Sequence, residues 1–302
     1  MKATGQWLFA SLLLLSFAFY SNAAEPDVTA ESQQKVILRW LGNAGWEIRL
    51  GKTIILIDPF LTRTEPKRDA EWKTDEEAVL KVIKGADYIF AGHSHADHIG
   101  DATFIAKRFA SKIIGSRTTT NLMLTAGVDR SQLTTITGGE KLDFKEFSVE
   151  VIESRHGILT GRGRKTPPKF EEIFRPWSGP IMGRDFVEGG SYLYYFTFGK
   201  HRFLHQSTGN FIEEKLKGLH PDVALMYPAH PYDLAGALKT LSPKVIILHH
   251  FDHHFDQQRA PFSEGIPEAN IKRAQRFARD VRSVDSQIKV IVPELLMTYT
   301  LE

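Results

Sequence analysis

The chain of 302 residues contains no cysteine. This absence excludes disulfide bonds, lipid attachment through a cysteine, and thiolate ligands for a metal ion. An exported protein without disulfides needs a hydrophobic core large enough to fold alone, and a chain of this length supplies one. Any metal site must use histidine, aspartate or glutamate, and the 12 histidines are the notable resource.

The chain also lacks an excess of charge of either sign. Its 38 lysines and arginines against 36 acidic residues give a formal net charge of +2, which offers no support for nucleic-acid binding. Its 42% hydrophobic and 25% charged residues are typical of a soluble globular protein. We therefore expect a small-molecule substrate and no nucleic-acid partner.

The N-terminal apolar stretch is too short for a comfortable membrane span, which needs about 20 residues. It follows Lys2 and is followed by small residues up to Ala24, which predicts a signal peptide over residues 1–24. An uncleaved anchor is the alternative. We expect an exported protein, periplasmic or secreted, with no stable membrane span once the signal is removed. A flexible lead-in over 25–34 and a single domain over 35–302 would follow.

The pattern of apolar residues predicts strands and helices that alternate along the chain. A Gly-Lys turn at 51–52 joins predicted strands 46–50 and 53–57, and the same dipeptide at 199–200 joins strands 191–198 and 201–205. Helical spacing predicts helices over 76–83, 102–109, 233–241 and 267–281. Further strands are predicted over 36–38, 88–90, 112–114, 147–152, 223–226, 245–248, 288–292 and 296–299. This order predicts an α/β fold with two packed sheets and helices outside.

Residues 160–190 lack such periodicity and are rich in glycine and proline. So long an aperiodic stretch within a domain is usually a lid, a binding loop or a disordered excursion. The basic residues Arg162, Arg164 and Lys165 suggest contact with an anionic group of the substrate. A solvated basic loop is the alternative.

Four candidate metal ligands lie within six residues, at His93, His95, Asp97 and His98. They follow a predicted buried strand, and imidazole and carboxylate are ligands that zinc and similar divalent ions prefer. His93 and His95 are two apart in an extended segment, so their side chains can point the same way. The spacing therefore allows two adjacent half-sites. The alternative has Asp97 as a helix N-cap and the histidines as solvated loop residues.

The segment His-Ser-His-Ala-Asp-His at 93–98 resembles the signature of the metallo-β-lactamase-fold hydrolase superfamily. Trp-Leu-Gly-Asn-Ala-Gly at 40–45 and Asp-Pro-Phe at 58–60 resemble its branch of ascorbate-phosphate lactonase-like and related zinc-dependent hydrolases. The likeness covers residues 36–249. It implies a four-layered αβ/βα sandwich with the metals at one edge of its two sheets.

The resemblance implies two more metal ligands. His156 follows a strand beyond the signature helix, and His249 ends the segment Val-Ile-Ile-Leu-His. The first metal site would then be His93, His95 and His156. The second would be Asp97, His98 and His249, with Asp97 also orienting the attacking water and His249 counted among the catalytic residues. The neighbouring histidines at 250, 253 and 254 leave an ambiguity, and a solvated loop is the alternative for the last two.

The chain departs from the family at Ser207, where an aspartate that bridges two metals is expected. A neutral hydroxyl neither offsets the repulsion between two dications nor spans them. The alternatives are a single metal, a substitute ligand such as His205, Ser207 or Asp252, or lost activity. We expect one tightly bound metal and a weak or absent second one. Asn43 also replaces a family histidine.

These residues predict an exported metal-dependent hydrolase. A metal ion can lower the pKa of bound water from about 15.7 to about 7, giving hydroxide that attacks an ester, lactone, amide or phosphodiester bond. Zinc is the expected cofactor, with Mn²⁺ or Fe²⁺ as alternatives. The rival hypotheses are a non-catalytic metal- or ligand-binding relative that lost turnover through Ser207, and a simple metal-binding protein that uses the histidines from 249 to 254.

Overall fold

The computed structural model describes residues 35–157, 179–229, 233–252 and 265–301. All of these residues lie in one unit, Gln33–Glu302. The predicted signal peptide, the lead-in and the basic residues Arg162, Arg164 and Lys165 lie outside the described ranges. Within those ranges, no helix is long and apolar enough to cross a membrane.

The first sheet has seven strands in the order β14-β1-β2-β3-β4-β5-β6. Strands β14, β1, β2 and β3 pair antiparallel, and β3 to β6 pair parallel. Its strands are β1 (Val36–Gly42), β2 (Gly45–Leu50), β3 (Thr53–Ile57), β4 (Tyr88–Phe90), β5 (Lys112–Gly115), β6 (Leu133–Thr135) and β14 (Thr298–Leu301). Helices α1 (Glu76–Val82), α2 (Ala96–Ile99), α3 (Ala102–Phe109) and α4 (Arg117–Thr125) lie in the connections between the parallel strands.

The second sheet repeats this plan, in the order β13-β12-β11-β10-β9-β8-β7. Strands β7 to β10 pair antiparallel and β10 to β13 pair parallel. Its strands are β7 (Lys141–Asp143), β8 (Ser148–Glu153), β9 (Tyr192–Phe198), β10 (His201–Gln206), β11 (Val223–Met226), β12 (Val245–Leu248) and β13 (Lys289–Ile291), and its helices are α5 (Leu234–Leu241) and α6 (Glu268–Val284). Gly51 and Gly199 have nearly the same positive φ, +59° and +55°, in the hairpin turns of the two sheets.

Alternate residues of the strands contribute to different layers of the core, because successive side chains of a strand point to opposite faces. In β4, Phe90 belongs to the large cluster shared with the second sheet, whereas Ile89 packs in the cluster under α1, α3 and α4. Phe277 of α6 and Leu238 of α5 cover the second sheet. The predicted four-layered sandwich is therefore confirmed.

Most predicted elements are present, with shifts of a few residues at their ends. Helix α4 and strands β6 and β7 were not predicted. Five of the nine residues of α4 are threonine or asparagine, which have low helix propensity, and its apolar pattern is weak. Packing under the first sheet stabilises it instead. Asp97 is not a helix N-cap, because His95 holds that position in α2.

Candidate metal centre

The chemically active side chains meet at one edge of the sandwich, where several strands have their carboxyl ends. His93 follows β4, Ser207 follows β10, and His250 follows β12. Parallel strands bring their carboxyl ends to the same edge of a sheet, where ligand sites of α/β proteins form. The long sequence separation between these residues therefore becomes spatial proximity.

Asp97, His98 and His250, here called the second triad, point their ligand atoms at one another. The two Nε2 atoms of His98 and His250 are 3.1 Å apart. Asp97 Oδ2 lies 3.5 Å from Nε2 of His98 and 3.4 Å from Nε2 of His250. Ligands bonded tetrahedrally to zinc at about 2.0–2.1 Å are about 3.3 Å apart, so these atoms fit a metal ion of that size.

His93, His95 and His156, here called the first triad, form the other cluster. His93 Nε2 is 3.0 Å from His95 Nδ1. The ring of His156 has its centroid 4.9 Å from that of His93 and 4.8 Å from that of His95. His156 Nδ1 donates to the carbonyl oxygen of Gly157 at 3.0 Å, which leaves Nε2 as the ligand atom. The five ligands predicted within the two sites, apart from His249, are thus brought together as expected.

Two histidines of the first triad, His93 and His156, favour the neutral form that a metal requires. Burial lowers the pKa of His93 well below its ordinary value, and the neighbouring His98, His95 and His156 lower it further. Burial also lowers the pKa of His156. Near neutral pH both side chains therefore carry a lone pair rather than a positive charge.

The two triads are adjacent parts of one centre. The rings of His93 and His98 have centroids 3.8 Å apart. His93 and His98 are buried, whereas His95, Asp97 and His156 are partly exposed. A substrate can therefore reach the centre from the side of the partly exposed ligands.

Asp58, the first residue of the Asp-Pro-Phe motif, orients both triads. It follows β3 and is fully buried. Its Oδ1 accepts from the backbone N–H of Gly92 at 2.6 Å, and its Oδ2 lies 2.9 Å from His98 Nδ1. A carboxylate at the outer nitrogen fixes the tautomer and makes the ring a better ligand. The sequence feature that could have indicated this role is the position of Asp58 directly after a predicted strand.

Ser207 lies behind the ligand rings rather than between the triads. Its Oγ donates to Asp58 Oδ2 at 2.8 Å and lies 3.4 Å from His93 Nδ1 and 3.3 Å from His98 Nδ1, the nitrogens that face away from the triads. A Cβ at Gly92 would come within 1.9 Å of this hydroxyl, so glycine is needed there. Ser207 therefore supports the ligands through Asp58, and the hypothesis that it is a substitute ligand gains no support.

His249, predicted as a metal ligand and catalytic residue, lies outside both triads, and His250 occupies the expected position in the second triad. His249 is fully buried; its Nδ1 accepts from Trp46 Nε1 at 3.0 Å and its Nε2 donates to the carbonyl oxygen of Gln206 at 2.7 Å. Both ring nitrogens are thus used within the protein. The next residue leaves the strand with a φ of +57°, which turns the His250 ring into the second triad.

The other two substitute ligands are also absent from the triads. Asp252 accepts from the backbone N–H of Asn43 with both oxygens at 3.0 Å, and it forms a buried ion pair with Arg63 at 2.7 Å. His205 lies beneath the centre with its Nε2 2.8 Å from the carbonyl oxygen of Ala44. Neither residue therefore belongs to a triad.

Tyr227 is a residue of the centre that the sequence did not indicate. It follows β11, and its ring meets that of His250 edge-on, at 5.2 Å between centroids and 89° between planes. Burial raises its pKa, which Arg273 partly opposes, so the phenol is protonated near neutral pH. A single tyrosine after a short strand carries no signal that separates it from core tyrosines.

Comparison with known proteins agrees with this architecture. A model described as the β-lactamase superfamily domain matches residues 37–250. A protein of Polynucleobacter asymbioticus named UPF0173 metal-dependent hydrolase is 29% identical over 285 residues, covering 90% of this chain and 93% of that protein. A protein of Myxococcus xanthus with the same name is 24% identical over 280 residues, covering 90% and 86%.

Solved structures share the fold at lower identity. Igni18, a metallo hydrolase from Ignicoccus hospitalis, has a TM-score of 0.59 and 20% identity, and covers 89% of this chain and 99% of its own. CmlA, a diiron β-hydroxylase from Streptomyces venezuelae, has a TM-score of 0.56 and 13% identity, covering 89% and 54%. Because these two proteins carry out different reactions, the fold alone does not fix the chemistry.

Proposed function

Because the chain belongs to the family of β-lactamase superfamily domains, we propose that it is a metal-dependent hydrolase with both triads as its active centre. The observation that carries the proposal is the convergence of three ligand atoms of the second triad, at mutual distances of 3.1, 3.4 and 3.5 Å. These distances match the spacing of ligands around one tetrahedral divalent ion. The name of the Polynucleobacter relative supports the same reaction class.

The donor set fits two divalent ions, one held by each triad. Each triad offers three ligand atoms, which is the number that catalytic zinc sites use. A bound divalent ion would lower the pKa of a water molecule to about 7 and polarise the bond to be cleaved. Since no carboxylate at position 207 offsets the repulsion between two ions, we expect one to bind more weakly. Zinc is the first choice, and Mn²⁺ and Fe²⁺ suit the same ligands.

The chain's own residues orient the reaction. Asp97 is the carboxylate of the centre and is partly exposed, so it can accept a hydrogen bond from the attacking water. Asp58 holds His98, and through Ser207 it also supports His93. The bond cleaved belongs to an ester, lactone, amide or phosphodiester of a small molecule, because this chemistry serves all four.

Reconstitution tests this function. Protein freed of metal with a chelator is reloaded with Zn²⁺, Mn²⁺ or Fe²⁺ and assayed with an aryl ester, a lactone, a β-lactam and bis(4-nitrophenyl) phosphate. We expect about two metal equivalents and metal-dependent hydrolysis of at least one probe. The variant His220→Ala, which changes an exposed histidine outside the triads, is the matched control. Metal binding without hydrolysis would favour the non-catalytic relative, and no metal binding would refute both.

We also propose that the protein is exported with its signal removed. The support is the apolar stretch after Lys2 and the small residues before Glu25. Mass spectrometry of the protein from a fractionated cell should find a new N-terminus near residue 24 or 25. An intact N-terminus in the cytoplasmic fraction would refute export.

A further inference from the structure

Tyr227 lies where the second triad meets α6. Its ring packs edge-on against the ring of His250, and its phenol is within electrostatic range of the Asp97 carboxylate. Both neighbours are members of the second triad, and Asp97 is one of the partly exposed ligands. The Tyr227 ring therefore lies beside the second triad, and the residue is itself partly exposed.

Three contacts fix the position of this ring. The guanidinium carbon of Arg273, on α6, lies over the ring, 5.9 Å from its centroid. The backbone N–H of Tyr227 donates to Gln206 Oε1 at 3.2 Å. A Cβ at Gly209 would come within 2.8 Å of the ring, so the ring packs directly on the backbone there. A side chain held in this way is arranged in advance for one task.

The protonation state of the phenol determines what it can offer. Burial raises the pKa of Tyr227, so the side chain keeps its O–H group near neutral pH. A phenol O–H group can donate a hydrogen bond. Near a metal centre that cleaves a bond to oxygen, such a donor stabilises negative charge that develops on the substrate.

We propose that Tyr227 donates a hydrogen bond to a substrate oxygen at the second triad, and that Arg273 is the positioning residue for the phenol. This assignment rests on the proposed hydrolase function. It implies substrates that present a carbonyl or phosphoryl oxygen beside His250. The alternative is that Tyr227 only packs against the ring of His250 and supports its position.

The test compares Tyr227→Phe with Tyr195→Phe. Tyr195 is on β9, and its hydroxyl accepts from the backbone N–H of His220 at 3.3 Å, before the amino end of β11 and so at the opposite end of the sheet. Each variant is loaded with zinc, its metal content is measured, and inorganic phosphate is titrated by calorimetry. We expect Tyr227→Phe to keep its metal and to have an affinity for phosphate at least about ten-fold lower. This is the usual effect of losing one hydrogen bond to a charged group. Tyr195→Phe should match the wild type.

A kinetic measurement separates donation from packing. With an active aryl ester or phosphodiester, kcat of Tyr227→Phe should fall by about 10²-fold, the usual effect of losing one such donor. Arg273→Met should show a smaller loss in the same direction, because the phenol remains. Phenylalanine keeps the ring, so a packing role alone predicts little change in either measurement.

The outcomes distinguish this inference from the proposed function. Unchanged phosphate affinity and kcat in Tyr227→Phe, or loss of metal from that variant, would overturn the assignment. If the wild type hydrolyses no probe but phosphate affinity still depends on Tyr227, the proposed hydrolysis fails while the hydrogen bond stands. If the wild type is active and Tyr227→Phe is equally active, only the assignment fails.

Discussion

In the first triad all three ligand atoms are ring nitrogens, whereas the second triad includes the Asp97 carboxylate and has Asp58 2.9 Å from His98 Nδ1. The triads are in contact, yet the negative charge lies on one side of the centre. A carboxylate attracts a dication more strongly than a neutral imidazole does, especially where burial weakens screening. The difference teaches that a serine at position 207 does not leave the centre without carboxylates. It leaves them unequally distributed.

The largest expected effect comes from removing one ligand of each triad. His95→Ala and His250→Ala should each lose about one metal equivalent and reduce hydrolysis to background, because a two-ligand site holds a metal poorly. Metal content by mass spectrometry and the rate on an active probe are the measurements. His220→Ala is again the control. If either variant keeps both metals, the assignment of ligands to that triad is wrong.

A smaller effect should follow from Asp58→Asn, which removes the charge and keeps the shape. We expect metal affinity at the second triad to fall by about 10–100-fold, the usual effect of losing an outer carboxylate partner. The first triad should lose less, since Asp58 reaches it only through Ser207. Metal titration against a competing chelator measures both affinities, with the exposed Asp129→Asn as control. Equal losses of metal affinity at both triads would contradict the unequal distribution of carboxylates between them.

Ser207→Asp tests whether a further carboxylate makes the metal affinities of the two triads more nearly equal. The new side chain would lie beside Asp58, so we expect a lower melting temperature without metal and about ten-fold tighter binding of the weaker ion. Ser207→Ala, which removes the hydroxyl without adding charge, is the matched control. It should not bind the weaker ion more tightly. A variant with no rise in affinity or rate would show that the serine is not what limits the centre.

The smallest expected effect is a pH dependence of stability in the metal-free protein. His93 and His156 have lowered pKa values in the folded state, mainly through burial. Between those values and the ordinary 6.5 the unfolded chain binds more protons, so the free energy of unfolding should fall as pH decreases. Urea unfolding between pH 7.5 and 6 should show a loss on the order of 1 kcal/mol.

Asp101 limits the pH window of that measurement. Burial raises its pKa from 3.8 to about 6, although Leu61 and Thr62 donate to it. A raised carboxyl pKa adds stability as pH falls below about 6, which opposes the histidines. A free energy of unfolding that rises from pH 7.5 to 6 would contradict the assignment of neutral buried histidines.

Much of the fold and part of the centre could be predicted from sequence. The hairpins, most strands and four helices follow from local signals, such as the Gly-Lys turns and the apolar spacing. Helix α4 does not, because its threonines and Asn121 disfavour helices in isolation. The ligands His93, His95, Asp97 and His98 follow from their density in one segment.

His250 shows where sequence reasoning fails. The sequence motif ends at His249, and both histidines follow the same apolar strand. Which of them enters the second triad depends on the left-handed φ of +57° at His250 and on the hydrogen bond from Trp46, on another strand, to His249. The contact with Trp46 joins residues that are far apart in the chain, so no spacing rule distinguishes these adjacent histidines. The roles of Asp58 and Tyr227 were missed for the same reason.

The sequence by itself determined that this protein has a histidine- and carboxylate-based centre, because it has no thiolates and places four ligands within six residues. It also determined the two-sheet sandwich through the alternation of its strands and helices. Only the tertiary structure decided which side chains complete the triads. The reason is that carboxyl ends of strands far apart in the chain meet at one edge, where Asp58, Ser207, Tyr227 and His250 acquire neighbours that no local pattern encodes.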